Sequence, residues 1–462
     1  MNNWLPDKSE LKRPRYRSLT GAIERAIEEG KLKPGDRLPT HRELAYRLGL
    51  SVQTVSRAYT RLVEAGHIVG EVGRGSFVRN PERDNALPFP AKRAGSETLD
   101  LALLKPVVDD LHREEMQRAL RGIAADLPDA TVASFRAATI AGRYAEAVEG
   151  WLARRGVSCA DMSVIATNGN TAAMTVALLS VAHGGDLIVT EAMSHHTLPT
   201  LCRSLGLRLH GVAMDHEGIL PEALEAVCRA DPVKALFLVP DSGPLSCRMG
   251  PARRQRIVEI ARRHDIAIIE NDAYGALQGT ETGPTFAALA PERCYYFTSL
   301  TKCLLPGLRV GFLVVPLNAA STVREKHMIT NWMVTPLMHE IATRWIEDGT
   351  AERLTDWQRS ALAERASVAE QILGSSGLRI SAGGLQGWLP CPDIGSEARL
   401  VERARDAGIL VAPGSTFSIG PGAGHPGVRI AFGARDTDAL RRALRVLRAI
   451  ATGDSSGREL HA

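Results

Sequence analysis

The sequence predicts an α/β protein in two parts, a small helical module followed by a large domain with a mostly parallel central sheet. In the first eighty residues apolar side chains recur at helical spacing, whereas from Leu99 onward helical stretches alternate with short β-rich runs. Between them, NPERDNALPFPAKRAGSETLD has mixed charge and no period, which is typical of an exposed linker. We therefore expect a first domain over residues 1–80, a linker over 81–99 and a second domain over 100–455.

The composition fits a soluble protein of 462 residues with two or three cores, since 44% of the residues are hydrophobic and 23% are charged. Residues 1–80 carry 15 Lys and Arg against 9 Asp and Glu, so this segment holds +6, and −2 remains for the rest of a chain of net charge +4. Such a local excess is expected if the first domain contacts a polyanion. Seven cysteines without a CxxC pair favour reduced thiols, and the lack of a signal sequence or a long apolar run predicts a cytoplasmic protein.

Three helices and a wing are predicted in the first domain. Leu19 and Ile23 mark one face of the first helix. Thr40, followed three positions later by Glu43, is a capping box that opens THRELAYRLG, and Ser51 caps SVQTVSRAYTRLVEAG. Two helices joined by a short turn have helix-turn-helix geometry, and HIVGEVGRGSFVR predicts the two strands of a wing.

The segments PGDRLPTHRELAYRLGLS, TVSRAY and GRGSFV resemble the GntR family closely. This resemblance implies duplex DNA as a partner. By the same resemblance, the expected DNA contacts are Arg42, Ser51, Gln53, Thr54, Arg57 and Arg74. The chain departs from the family at Val52, where an arginine is usual, so one expected contact is missing. The alternative is a helical hairpin whose charges are solvated.

The segment SLTKCLLPGLRVGFLV, residues 299–314, contains the groups that hold an aldehyde carrying a phosphate. We expect Lys302 to form the imine as the catalytic residue, Ser299 and Thr301 to donate to the phosphate, and Arg309 to neutralise it. Together these residues predict a pyridoxal 5'-phosphate site. The alternative is a solvated lysine in a Ser/Thr-rich loop.

These residues resemble the fold type I aminotransferase family, over roughly Asp100 to Ile450. Together with the GntR resemblance, they are similar to the MocR-type regulators, in which a winged helix-turn-helix domain is fused to an aminotransferase-like sensor. The expected fold class is therefore a winged helix-turn-helix plus a pyridoxal phosphate-dependent fold type I domain. The resemblance also implies a homodimer, because relatives complete the cofactor pocket across a subunit interface.

Polar residues follow several of the predicted strands, at the sheet edge where chemistry is expected. Asn170 and Thr171 open a helix whose amides are suited to the same phosphate as Arg309. His195 falls where the family commonly has a ring that stacks on the cofactor, and the alternative is a solvated histidine at a loop tip. No further ligand at metal spacing accompanies it, so no metal site is expected.

Counting back from the paired arginines Arg253 and Arg254 places Gly243 where relatives carry an asparagine that donates to the phenolic oxygen of the cofactor. That donor is therefore expected to be missing. Asp241 and Ser242 are the candidates to replace it.

In most relatives an acid lies three positions before the tyrosine that contacts the same phenolic oxygen, and it pairs with the pyridine nitrogen. Here the tyrosine is Tyr274 and the position of the acid is Asn271. Asp272 comes one residue later and should point to the opposite face of a strand. Either the strand ends early and Asp272 turns inward, or an amide faces the ring. All three residues are kept as expected contacts.

The segment HPGVRIAFG resembles the substrate-carboxylate strand of the family, which makes Arg429 the expected clamp for an amino-acid carboxylate. The alternative is a surface arginine on an edge strand.

Three functions are compatible with these residues. The leading hypothesis is a transcription regulator that senses a small amine or amino acid through an aldimine at Lys302. The rival is a working aminotransferase that carries a DNA-binding arm, and the third is a regulator that has lost the cofactor. The changes at Asn271, Gly243 and His195 weaken carbanion chemistry more than imine formation, which favours sensing.

Overall fold

The structure is a computed structural model that describes residues 4–6, 11–33, 35–64, 67–71, 75–78, 98–133, 143–241, 243–278, 283–420 and 424–453. The chain divides into two compact units, Met1–Leu87 and Pro88–Ala462. Each unit has its own apolar core. Within the described ranges, no helix combines the length and the apolar character that crossing a membrane requires.

The first unit consists of three helices and an antiparallel pair of strands. Its elements are α1 (Arg15–Glu28), α2 (His41–Leu48), α3 (Val52–Glu64), β1 (Ile68–Glu71) and β2 (Gly75–Val78). Both predicted caps form, because the Glu43 amide donates to Thr40 Oγ1 over 3.3 Å and the Thr54 amide donates to Ser51 Oγ over 3.1 Å. Gly49 ends α2 in the left-handed region, which a glycine adopts without strain.

Side chains from α1 and α3 form the centre of this small core. Leu19, Ile23, Val55, Tyr59 and Leu62 are all buried. Burying one such side chain contributes about 1.5–3 kcal/mol, which explains how so short a segment folds around three helices. The predicted helix-turn-helix with its wing is confirmed, and Arg74 lies outside the described residues.

The second unit is organised around a seven-stranded sheet with the order β4-β12-β11-β10-β9-β5-β6. The strands of this unit are β3 (Leu99–Asp100), β4 (Met162–Thr167), β5 (Leu187–Glu191), β6 (Arg208–Val212), β7 (Met214–Asp215), β8 (Gly218–Ile219), β9 (Val233–Leu238), β10 (Ala267–Asn271), β11 (Cys294–Ser299), β12 (Gly311–Pro316), β13 (Arg379–Ile380), β14 (Gln386–Pro390), β15 (Ile409–Leu410), β16 (Ala412–Pro413) and β17 (Gly427–Ala431). In the large sheet β12 is antiparallel to β4 and β11, and the other pairs are parallel. The predicted mostly parallel sheet is confirmed.

Helices cover both faces of the large sheet, as the nearly continuous apolar runs of its strands require. The helices are α4 (Asp110–Ala125), α5 (Asp129–Ala133), α6 (Arg143–Ala153), α7 (Asn170–Val181), α8 (Leu198–Ser204), α9 (Pro221–Ala230), α10 (Pro251–Arg263), α11 (Phe286–Leu289), α12 (Ala320–Asn331), α13 (Pro336–Glu347), α14 (Thr350–Leu373), α15 (Ile394–Asp406) and α16 (Thr437–Thr452). Ile269 and Phe297 pack with α7 on one face, and Ile268 and Tyr296 pack in a second cluster on the other. This alternation decides which side chains of β10 and β11 face the same neighbours.

A smaller four-stranded sheet, of order β13-β14-β17-β16, packs against the C-terminal helices. β17 is an interior strand of this sheet, paired with β14 and with β16. The closing helix α16 buries Leu440, Leu444 and Leu447, as its apolar spacing predicts. The smaller sheet therefore presents Arg429, on β17, from a buried position.

Candidate functional site

A cavity of about 240 Å³ lies at the carboxyl ends of the central strands. It is lined by residues from both sheets and from the segment before α4: Leu103, Leu104, Asn170, Thr171, Ser194, His195, His196, Thr197, Val239, Gly243, Pro244, Ala273, Tyr274, Ser299, Thr301, Lys302, Arg309, Gln386, Phe417 and Arg429. Most of the site residues expected from the sequence therefore lie around one space.

One end of the cavity is suited to an anion. Gly169, with φ 84°, leads into α7, whose first amides have no partner within the helix. Asn170 Oδ1 and Thr301 Oγ1 are buried and have no hydrogen-bond partner among the described residues. Arg309 lies beside them and donates from Nη2 to the carbonyl oxygen of Asn168 over 3.3 Å. The Thr301 hydroxyl, the first backbone amides of α7 and the Arg309 guanidinium can all donate hydrogen bonds. Together these donors fit a phosphate.

Glycine at position 169 is required by this close approach. A Cβ added there would lie 3.0 Å from Arg309 Nη2, and the positive φ would strain any other residue. Arg309 is itself in the left-handed region, with φ 51°. The backbone at Gly169 and the Arg309 side chain therefore pack closely, which leaves little room for a larger residue at position 169.

Lys302 is partly buried beside the anion end, and its Nζ donates to the carbonyl oxygen of Leu104. Burial lowers the pKa of this ammonium group to about 8, helped by the charges of Arg429 and Arg309. A lysine with a lowered pKa is partly neutral near physiological pH, so it can act as a nucleophile.

The two histidines form a stacked pair in the cavity wall. Their ring centroids are 4.6 Å apart and the rings are inclined by 23°. His195 Nδ1 lies 2.8 Å from Thr197 Oγ1. Burial lowers the pKa of His195 to about 4 and that of His196 to about 2, with further lowering by Lys302 and Arg429 in both cases. At neutral pH the pair is uncharged and presents flat, polarisable surfaces to the cavity.

Arg429 lies in the wall of the cavity and is only 4% exposed. Its Nη2 donates to the carbonyl oxygen of Ala102 over 2.5 Å, and its guanidinium carbon lies 4.8 Å from the centre of the Phe417 ring. Burial lowers the pKa of this guanidinium to about 10. A buried arginine on an interior strand, rather than a surface arginine on an edge strand, lines the cavity.

The side chains of Asn271 and Asp272 leave the strand end in different directions. Asn271 shares the face of β10 that packs with α7, and its Oδ1 accepts from the Ala273 amide over 3.2 Å. The Asp272 carboxylate accepts from Arg155 Nε over 3.0 Å and from the Tyr296 hydroxyl over 2.8 Å. Neither side chain is part of the cavity lining, whereas Tyr274 is. Asp272 therefore belongs to a buried ion-pair network on the far face of the sheet.

Gly243 lines the cavity with Pro244, so the position of the expected asparagine is at the site but has no side chain. Gln386 Nε2 donates to the Gly243 carbonyl oxygen over 2.8 Å. Asp241 does not replace the missing donor, because its carboxylate accepts from the buried Arg254 over 2.7 Å. Ser242 lies outside the described residues.

Several residues of the cavity were not expected from the sequence. They come from the segment before α4, from the turn after β5 and from the small sheet: Leu103, Leu104, His196, Thr197, Gln386 and Phe417. Only His196 had a local signal, as the neighbour of His195. In the described part of the chain, no three His, Cys, Asp or Glu side chains lie together in a way that could hold a metal ion.

In the first unit, the residues expected to contact DNA fall into two groups. Arg42 and Gln53 are exposed. Ser51 and Thr54 are engaged in the cap of α3, their hydroxyl oxygens being 2.8 Å apart. Arg57 is exposed, and its guanidinium carbon lies 4.5 Å from the centre of the Tyr16 ring.

Each of the two units matches a known protein family. Residues 15–78 match the family described as bacterial regulatory proteins, gntR family, and residues 124–447 match aminotransferase class I and II. The HTH-type transcriptional regulator YdeF of Bacillus subtilis is 26% identical, with 96% of each chain covered. The HTH-type pyridoxine biosynthesis transcriptional regulator PdxR of Corynebacterium glutamicum is 26% identical over 92% of this chain and 93% of its own.

Solved aminotransferase structures have the same fold as the second unit. Kynurenine aminotransferase of Pyrococcus horikoshii superposes with a TM-score of 0.71 at 22% identity, over 78% of this chain and 92% of that chain. The α-aminoadipate aminotransferase LysN of Thermus thermophilus gives a TM-score of 0.68 at 23% identity, over 77% of this chain and 92% of that chain. The chain thus belongs to the aminotransferase class I and II family, and the GntR domain that precedes this region gives it the arrangement of the MocR-type proteins.

Proposed function

We propose that this protein is a transcription regulator that binds duplex DNA through its first unit and pyridoxal phosphate in the cavity of its second. A small amine or amino acid that enters the same cavity is the signal. One observation carries the proposal: Lys302, Arg309, the start of α7 and the hydroxyls of Ser299 and Thr301 line a single cavity. The names of the similar regulators support the DNA-binding part.

The residues present fit the cofactor. Its phosphate matches the donors at the start of α7, at Thr301 and at Arg309, and the buried Thr301 hydroxyl has no partner in the described ranges. Asn170 and Thr171 can contribute their backbone amides. When bound, pyridoxal phosphate supplies an aldehyde that condenses with amines and a ring that withdraws electrons from the attached carbon. Lys302 provides an amine whose lowered pKa leaves part of it neutral and reactive at neutral pH.

Sensing is favoured over catalytic turnover by the residues near the ring. Aminotransferase chemistry requires an acid that keeps the pyridine nitrogen protonated, whereas the expected position holds Asn271, which cannot ionise. Asp272 is held by Arg155 and Tyr296 outside the cavity. Gly243 offers no side chain to the phenolic oxygen. Binding an amine at Lys302 needs none of these groups, but removing a proton from the substrate carbon does.

Arg429 gives the effector a second anchor if it carries a carboxylate. A carboxylate would compete with the Ala102 carbonyl for Nη2, and a bidentate pair with a buried guanidinium is the stronger interaction. Amino acids are therefore the preferred class of effector, ahead of amines that lack a carboxylate.

The visible absorbance of the purified protein tests the proposal. Wild-type protein should show the colour of lysine-bound pyridoxal phosphate, or gain it on adding the cofactor, and Lys302→Ala should not. Lys326→Ala is the matched control, because this lysine is also partly buried but is paired with Glu325 outside the cavity. A wild-type protein that gains no visible absorbance with excess cofactor would show that the proposed cofactor is wrong.

The rival function is a working aminotransferase. Multiple-turnover conversion of an amino acid and a keto acid would establish it, and a single spectral change without sustained product would exclude it.

A further inference from the structure

Three arginines of the first unit gather around one tyrosine. Tyr16 lies near the start of α1, and the guanidinium carbons of Arg57, Arg61 and Arg17 are 4.5, 5.9 and 6.0 Å from the centre of its ring. Arg17 Nε also donates to the Tyr16 hydroxyl over 3.2 Å. We call these four residues the Tyr16 cluster. They join α1 to α3, two helices that also pack through the buried Leu19 and Val55.

No carboxylate among the described residues is paired with the cations of the Tyr16 cluster. The pKa of the Tyr16 hydroxyl is lowered, chiefly by the hydrogen bond from Arg17 and further by the charges of the arginines. Three cations gathered without an acid make a site whose natural occupant is an anion.

Contact with the Tyr16 ring orients these arginines and leaves hydrogen-bond donors available for a phosphate. A guanidinium over an aromatic ring uses its flat face for the contact, and its N–H groups remain at the edge, where they can form bidentate hydrogen bonds. Tyr16 thus holds Arg57 in place without using up all of its donors.

The position of the cluster on α3 identifies the anion. Arg57 and Arg61 lie one and two turns after Gln53 on the same side of the helix, since residues four apart share a helical face. Residues at the start of a recognition helix reach the base edges, and Gln53 is at that start. A different face of α3 contacts α2, because Ser56 Oγ lies 3.2 Å from His41 Nδ1. The cluster therefore extends the expected base-reading surface toward α1.

We infer that the Tyr16 cluster binds the phosphate backbone of the duplex beside the bases that the start of α3 reads. Arg17, Arg57 and Arg61 supply the charge, and Tyr16 is a positioning residue. Arg57 is then a sequence-independent contact rather than a base reader. This inference rests on the proposed DNA-binding function and adds to it a second contact zone that the helix-turn-helix motif does not specify.

Salt dependence separates a phosphate contact from a base contact. The full-length protein is titrated onto two fluorescent duplexes of equal length at several salt concentrations, one selected by the wild-type protein from random sequences and the other a scramble of it. We expect Arg17→Ala and Arg57→Ala to weaken binding to both duplexes by the same factor. Each should also reduce the slope of log affinity against log salt by about 0.9, the value for one lost phosphate contact on B-DNA.

Matched variants complete the test. Arg25→Ala removes the same charge from α1, roughly 12 Å beyond Arg17 along the helix axis at about 1.5 Å per residue, and should leave the slope unchanged. Gln53→Ala should weaken binding to the selected duplex alone. Tyr16→Leu should weaken both duplexes, whereas Tyr16→Phe, which keeps the ring, should retain most of the affinity.

Two results would overturn the inference while leaving DNA binding intact. In the first, Arg57→Ala affects the selected duplex alone with no change in salt slope, which makes it a base reader. In the second, Arg17→Ala and Arg57→Ala match Arg25→Ala, which makes them ordinary surface cations. A wild-type protein that neither enriches a sequence from the random pool nor binds the pool itself would instead refute the proposed DNA-binding function.

Discussion

The reactivity of Lys302 should depend on pH with a midpoint near 8. Burial, together with Arg429 and Arg309, lowers the pKa of its ammonium group from an ordinary 10.5 to about 8. At pH 7.4 roughly one-fifth of the amine is then neutral, compared with roughly one part in a thousand for an unperturbed lysine, so the reactive fraction rises about 200-fold. The shift comes from an environment that disfavours the charged form, so the neutral form dominates above pH 8 and the protonated form below it.

The measurement is the rate at which cofactor-free protein gains visible absorbance after pyridoxal phosphate is added, between pH 6 and 10. Each rate is divided by the rate of a small amine at the same pH, expressed per mole of its neutral form. This removes the titration of the cofactor and leaves that of Lys302. The corrected rate should level off above pH 8. Arg429→Gln removes the larger of the two neighbouring charge effects and should move the midpoint upward. A corrected rate that keeps rising through pH 10, or a midpoint that Arg429→Gln leaves in place, would refute the reasoning.

Three further outcomes are expected. Arg429→Gln should weaken the spectral response to amino acids by about ten- to a hundred-fold, in line with about 1.5–3 kcal/mol for a hydrogen bond to a charged group, and should leave simple amines almost unaffected in the same titration. Asp272→Ala should lower the free energy of unfolding in urea by about 1.5–3 kcal/mol, because Arg155 and the Tyr296 hydroxyl lose their hydrogen bonds to this carboxylate while Arg155 keeps its longer ion pair with Asp241 over 3.4 Å. Asp265→Ala, whose side chain is 99% exposed, should change it by less than about 0.5 kcal/mol. Light scattering at micromolar concentration should give twice the 49.9 kDa of one chain, because we expect the winged helix to read paired half-sites as a homodimer. A monomer mass would contradict this.

The sequence predicts elements well where the signal is local. The short β-rich runs of the large domain are SVIATN, DLIVTEA, ALFLVP, IAIIEND, CYYFTSL and RVGFLVV. All six belong to the seven-stranded sheet, because each is an apolar run bounded by polar residues. The strand that was missed, β6, has the sequence RLHGV and is partly exposed at the sheet edge. An edge strand needs less apolar character, so composition alone does not reveal it.

The anion end of the cavity is predictable for the same reason. Lys302, Arg309 and Thr301 lie within eleven residues of Ser299, and Asn170 follows a turn that opens a helix. What the sequence cannot supply is the rest of the cavity wall. Phe417, Gln386 and the carbonyl groups before α4 come from segments far apart in the chain, and only the folded structure brings them to the same cavity.

The direction of the Asp272 side chain could not be predicted without knowing its hydrogen-bond partners. Strand alternation indicates that Asn271 and Asp272 face opposite sides, but it leaves open a strand that ends early. β10 ends at Asn271, and Arg155, which follows α6 more than a hundred residues earlier, takes the Asp272 carboxylate. Nothing in the sequence around Arg155 marks it as that partner.

Among the described residues, three cationic side chains line the cavity, and two of them, Lys302 and Arg429, are bonded to the same short segment of chain. Lys302 donates to the Leu104 carbonyl and Arg429 donates to the Ala102 carbonyl. A ligand that takes up the amine of Lys302 and presents a carboxylate to Arg429 replaces both contacts at once, so it changes what holds residues 102–104 in place. This segment comes directly after β3, which begins at Leu99 where the predicted linker ends. A ligand can shift a conformational equilibrium only by binding its two states unequally. A ligand that competes for these two hydrogen bonds would bind the state in which they are broken more tightly than the state in which they are formed. The segment they hold follows the linker that leads, in sequence, to the DNA-binding unit.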